Sequence, residues 1–353
     1  MPGLLQAIKI APVESSTMHS FLPLISYKPD VKFFGIYLKQ YWTDENVNTY
    51  LPPFDLATGK KHTAVGWFID LEDNAFTQPV YDLSGNNFMI QLEALWKAGY
   101  LSFVNIGSNA TASEIVNGYR DQEIGYMAEF YKAWIDRGEY RRAMLAPLQE
   151  MNGDWTSYGK DLTPQEFKLA YRHILELFSQ KGVSYDQVWW VFAPNGWHDP
   201  AQPQRAFELY YPGDDVVDFV GFSSYNYGFC EMGEDITNKW ESYTELFEPY
   251  ITRMQAMAPS KPVIIAEIGT SSYYSEGMSD INLKNQWLIE NYYSLASNKA
   301  VLGVIYFSLS SFDGHQCDLE LDPGGEILSG YHDGLTNPIF RYLSVQRFLT
   351  MGY

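Results

Sequence analysis

The chain has 353 residues, 46% hydrophobic and 19% charged, enough apolar material for a large core and too little charge for a disordered tail. Its 24 Lys and Arg against 43 Asp and Glu leave a net charge of −19, a field that disfavours nucleic acid, anionic membrane and acidic polysaccharide and favours a neutral ligand. Only Cys230 and Cys317 are present, far apart and without CxxC spacing, which excludes a disulfide framework or a thiolate metal site and leaves one bridge open.

Residues 1–16 (MPGLLQAIKIAPVESS) lack a signal-peptide core, and no apolar run of about 18 residues occurs. The expectation is a soluble monomer, secreted with its signal absent from this chain or, alternatively, cytoplasmic. Ten Trp, 27 Tyr and 21 Phe suit either an aromatic-rich core or a surface that stacks on sugar rings.

Short apolar runs alternate with longer helical patterns along the chain. The spacing predicts strands at 33–38, 64–70, 100–106, 143–149, 187–193, 217–223, 262–267 and 302–308, near-continuously apolar as parallel strands buried on both faces are. Helices are expected at 86–98, 113–137, 163–181, 202–210, 240–257, 282–297 and 338–349. Thr163 and Pro164 open the third of these, and Lys181-Gly182 close it. The stretch 40–63 contains LPPFDLATGKK and reads as a turn-rich connection. Eight strand–helix units predict a (β/α)₈ TIM barrel, a single domain over 1–353, with a doubly wound open sheet as the alternative.

In such a barrel, side chains at strand exits converge on one mouth. Glu150 ends the fourth strand and Glu267 the seventh, 117 residues apart in sequence. Each follows an apolar run where an ionisable group is costly unless it faces a polar cavity. Either alone is as readily a structural ion-pair partner, but two at facing exits match the requirement of glycosidic cleavage. One carboxyl protonates the leaving oxygen while the other meets the oxocarbenium-like carbon, standing about 5–5.5 Å away if it attacks directly.

The other exits offer Asn105, Asn195 with Trp197, Ser224-Tyr225-Asn226-Tyr227, and Trp155 in the loop after Glu150. A tyrosine at the sixth exit can hydrogen-bond Glu267 and keep it ionised. Trp155 and Trp197 are candidate sugar platforms, and Asn152-Gly153 shapes a turn. No metal or cofactor is expected: the six His (19, 62, 173, 198, 315, 332) are scattered, without HExxH, and no phosphate loop or GxSxG occurs. The acidic stretch 313–322 lacks an EF-hand pattern and reads as a solvated loop rather than a Ca²⁺ site.

At these residues the sequence resembles clan A retaining glycoside hydrolases, and within them glycoside hydrolase family 26, whose members are mostly β-mannanases with some β-glucanases and β-1,3-xylanases. The segment 150–155 (EMNGDW) is similar to the family's acid/base segment, and 265–269 (IAEIG) to its nucleophile strand. The resemblance therefore implies Glu150 as acid/base, Glu267 as nucleophile and Tyr225 as the nucleophile's hydrogen-bond partner. It further implies that Glu150 carries the raised pKa while Glu267 stays ionised. Departures fall around the sugar. Gln149 stands where the family usually has His, Asn105 and Ser108 lie at a third exit that carries His in mannanases, and Tyr306, Phe307 and Ser308 occupy the eighth-strand end where many members have Trp.

The substrate-binding set expected is Gln149, Asn105, Trp155, Asn195, Trp197, Tyr227 and Tyr306. The expected function is retaining hydrolysis of a neutral β-linked glycan, β-mannan or β-glucan. A non-catalytic glycan-binding barrel and a β-1,3-xylanase-type hydrolase are the alternatives; the first need not keep both carboxylates.

Overall fold

The computed structural model describes residues 30–76, 86–138, 140–161, 163–230, 239–309 and 317–351. Eight strands, β1 (Phe33–Leu38), β2 (Ala64–Asp70), β3 (Leu101–Gly107), β4 (Met144–Pro147), β5 (Trp189–Phe192), β6 (Phe219–Asn226), β7 (Val263–Thr270) and β8 (Val301–Ser308), close into a barrel in sequence order. Every neighbouring pair is parallel, and β1 completes the ring against β8. All eight expected strands are present, β6 and β7 each running three residues further into the mouth than the apolar pattern indicated.

The helices are α1 (Asp44–Thr58), α2 (Asn87–Lys97), α3 (Ala112–Val116), α4 (Asp121–Ile135), α5 (Pro164–Gln180), α6 (Tyr243–Leu246), α7 (Glu248–Met257), α8 (Ile281–Ser297), α9 (Ser329–Gly334) and α10 (Val345–Thr350). Helix α1 corrects the expectation of a turn-rich 40–63. Its consecutive Pro52 and Pro53 hide a burial stripe of Val47, Leu51, Phe54 and Thr58, and Thr43 caps it by accepting from Asn46 N at 3.1 Å. Packing of that stripe outweighs the hydrogen bonds the prolines cannot donate. The helix expected over 113–137 is broken in two, with Gly118 at φ 85° between the pieces. That expected at 202–210 is instead two 3₁₀ turns, Pro203–Arg205 and Phe207–Tyr210.

Two apolar layers follow from the strands' double-sided burial. One lies between strands and helices; the other fills the lumen with Phe33, Phe103, Met144, Trp189, Ile264 and their neighbours. Gly303 is required there, because a Cβ would lie 2.1 Å from the Phe33 ring. Phe348 of α10 packs on Phe33 and Trp189, both with ring centroids 5.4 Å away. The barrel's N-terminal end is thereby plugged, and the C-terminal end is left for the site.

Candidate active site

Glu267 lies on β7, 6% exposed. Asn105 Nδ2, from the inward face of β3, donates to its Oε1 at 2.7 Å, and the Tyr225 hydroxyl, from β6, donates to its Oε2. Tyr225 in turn stacks on Tyr227, ring centroids 5.2 Å apart. Asn105, expected among the sugar-binding residues, thus touches the carboxylate itself.

Glu150 sits just beyond β4 in left-handed backbone, φ 53°, two residues after Leu148 at φ 54°. Such conformations are costly for non-glycine residues and persist only where the surroundings impose them. Here β5 does so: Glu150 N donates to Ala193 O at 2.8 Å, and Asn152 and Asn195 exchange two side-chain-to-backbone bonds of 2.9 Å. The buried Arg205 adds bonds of 3.1 Å to Asn152 O and Gly159 O. Asn152, read as a turn residue, braces the loop against its neighbour.

Three donors converge on the Glu150 carboxylate. Asn195 Nδ2 (2.9 Å) and the Ser223 hydroxyl reach Oε1, and Trp155 Nε1 reaches Oε2 at 2.8 Å. A carboxylate oxygen accepts through two lone pairs. Oε1 is therefore filled, and a proton on Glu150 has its place on Oε2, beside the exposed Trp155. The Trp155 ring folds over Gly153, where a Cβ would lie 2.3 Å from it.

Ser223 pairs with Glu267 in the β6–β7 register while its hydroxyl donates to Glu150. Burial first, and then the Glu150 charge, push the Glu267 carboxyl up to about 8, against the pull of Tyr225 and Asn105. Against the expectation that Glu267 stays ionised, its carboxyl favours the neutral form above the ordinary carboxylate range, through desolvation first and a neighbouring like charge second.

Of the remaining expected residues, Trp155 and Trp197 are 52% and 42% exposed on the loops after β4 and β5. Gln149 is half-buried, its backbone carbonyl accepting from Tyr158 OH at 2.8 Å. Tyr306 is a correction. It is fully buried, its hydroxyl donating to Leu319 O at 2.9 Å and its ring edge-on to Tyr331, because its side chain takes the helix-facing side of β8. Phe307 takes the mouth side, edge-on to Tyr225 at 5.6 Å.

Sequence reasoning missed Ser223, although its two-residue offset from Tyr225 on one strand carried the signal. Cys230 and Cys317 form a disulfide that joins the segments after β6 and β8. Residues 313–316 of the acidic stretch, His19, His315 and residues 1–16 lie outside the described residues. Within the described part of that stretch, Asp318 accepts from Ser272 N at 2.8 Å and faces the buried Lys284 at 3.8 Å. Among the described residues, no group of three or more His, Cys, Asp or Glu side chains gathers to hold a metal ion, and no helix is long and apolar enough to cross a membrane.

Comparison with known proteins is consistent with this geometry. The family model described as Glycosyl hydrolase family 26 matches residues 119–301. Endoglucanase H of Acetivibrio thermocellus is 28% identical over 81% of this chain, and a mannan endo-1,4-beta-mannosidase of Bifidobacterium adolescentis is 24% identical over 66%. The chain spans only 29% and 25% of their respective lengths. Among solved structures, the catalytic domain of an endo-beta-1,4-mannanase of Bacillus sp. JAMB-750 superposes with a TM-score of 0.62 at 17% identity, covering 90% of this chain and 88% of that one.

Proposed function

The chain belongs to glycosyl hydrolase family 26, and from that premise we propose that it hydrolyses a neutral β-linked glycan, β-mannan or β-glucan, with net retention of configuration. The observation that carries this reading is the carboxylate pair, each member held by dedicated donors, Asn105 and Tyr225 on Glu267 and Asn195, Ser223 and Trp155 on Glu150. Glu267, steadied as an anion by Tyr225 and Asn105, attacks the anomeric carbon. Glu150 passes the proton on Oε2 to the departing oxygen, and the ionised Glu150 then takes a proton from the water that releases the glycosyl group. The growing positive charge on the sugar favours the ionised form of Glu267.

Trp155 and Trp197 supply exposed ring faces on the leaving-group side. The amides of Gln149 and Asn105 read sugar hydroxyls without carrying charge, which keeps β-glucan level with β-mannan. The Cys230–Cys317 bridge supports action outside the cell, where disulfides persist and polymeric substrate is found.

Reducing-sugar release on mannan, mixed-linkage glucan, laminarin and xylan, with NMR of the first-formed anomer, tests the proposal. Retention is expected, with Glu267→Ala inactive but folded. Glu150→Ala is expected to keep activity on good leaving groups and to be restored by azide. An inverted first product, or cleavage of alginate or pectin alone, would overturn it.

A further inference from the structure

The loop that carries Glu150, residues 150–159, is held by a charge that the chemistry above does not use. Arg205, on the 3₁₀ turn after β5, is 7% exposed. Among the described residues its acceptors are all neutral: Nε donates to Gln202 Oε1 at 2.7 Å, and Nη1 bridges Asn152 O and Gly159 O at 3.1 Å each. Burying a guanidinium among neutral groups is costly, and for packing alone an apolar side chain would serve as well or better. What the guanidinium adds is reach and direction, a planar and always charged fork that ties together two carbonyls from opposite ends of the loop.

The loop needs such a tie. Leu148 and Glu150 both stand in left-handed backbone, which lasts only where the surroundings impose it. The chain also folds back so closely that a Cβ on Gly159 would lie 2.1 Å from Gly153 O. Two arms lead from Arg205 to Glu150. In the first, Arg205 holds the carbonyl of Asn152, Asn152 exchanges bonds with the backbone of Asn195, and Asn195 Nδ2 donates to Glu150 Oε1. In the second, Arg205 closes the loop between Asn152 and Gly159, and Trp155 inside that loop donates to Glu150 Oε2. One buried cation thereby sets the places of a donor on each carboxyl oxygen, while the third donor, Ser223, comes separately from β6.

We propose that Arg205 is a positioning residue for the acid/base, acting through Asn152, Asn195 and Trp155 to aim the Glu150 carboxyl at the leaving oxygen. The proposal rests on the reading of Glu150 as the acid/base of a glycosidase.

Its test compares kcat/KM on phenyl and dinitrophenyl glycosides of the disaccharide that the wild type releases from its polymer, in the wild type, Glu150→Ala, Arg205→Met and Arg205→Lys. Phenoxide leaves poorly without a proton, whereas dinitrophenoxide leaves unaided. Arg205→Met keeps the length of the side chain and removes every donor. It is expected to lose roughly 10-fold or more on the phenyl glycoside, part of the roughly 100- to 10,000-fold that proton transfer supplies, and less than about 3-fold on the dinitrophenyl one. Arg205→Lys keeps a cation for the two carbonyls and is expected to recover most of the loss. Circular dichroism checks the fold; if Arg205→Met does not fold, Gln202→Leu, which frees only Nε, carries the comparison, with a smaller loss expected on the phenyl glycoside alone. Equal losses on the two glycosides in the folded variants, beside a Glu150→Ala that discriminates between them, overturn the positioning role and leave the acid/base reading intact. A Glu150→Ala that loses equally on both overturns the two together.

Discussion

Ser223 stands opposite Glu267 on the neighbouring strand, yet it gives its hydroxyl hydrogen to Glu150. Together with Asn195 it fills Oε1, so the proton needed by the leaving group is confined to Oε2, the oxygen beside Trp155. Ser223→Ala removes one of the two donors that fill Oε1 and leaves that oxygen free to take the proton instead of Oε2. Activity is expected to fall roughly 10- to 100-fold on substrates with poor leaving groups and far less on dinitrophenyl glycosides, since only the former depend on delivered protons. Ser223→Thr should recover it. Equal losses on the two substrates would make Ser223 merely a packing residue.

Tyr225→Phe deletes one oxygen from the donor set of Glu267. A loss of roughly 10- to 1000-fold in kcat/KM is expected, equivalent to about 1.4–4 kcal/mol of transition-state stabilisation. The same change removes an influence that lowers the Glu267 pKa, so the acid limb, where the nucleophile becomes protonated, should shift to higher pH. Steady-state rates between pH 4 and 9 measure both effects. An unaltered acid limb would detach Tyr225 from the nucleophile's ionisation.

The Glu267 carboxyl also links stability to pH. Its pKa is raised to about 8 from the ordinary 4.5 of a glutamate, so between these values the folded state binds more protons than the unfolded one. Stability from this group is complete below the unfolded value and is lost as pH rises through the folded one. Glu267→Gln keeps the shape and abolishes the titration. Melting experiments are expected to find it more stable than wild type above pH 8, by at least about 2 °C, with the difference shrinking toward pH 4.5. A constant difference across that window would mean that Glu267 is ionised in the empty site.

What the sequence determined by itself is the barrel and its two carboxylates. Parallel strands buried on both faces show as unbroken apolar runs such as 262–267, and an ionisable residue at the end of such a run, Glu150 or Glu267, stands out because burial makes it costly. Helix α1 escaped because Pro52 and Pro53 conceal a stripe legible only through its packing. The destination of a side chain was likewise undecided wherever adjacent residues of a strand face opposite ways. Tyr306 went to the helix layer and Phe307 to the mouth, a choice set by β8 register against β1 and β7. The tertiary structure alone also decided which oxygen of Glu150 is filled and that the Glu267 carboxyl is pushed up. Both depend on groups brought together from β4, β5, β6 and β7, and hydrogen bonding and desolvation act through distance in space rather than along the chain.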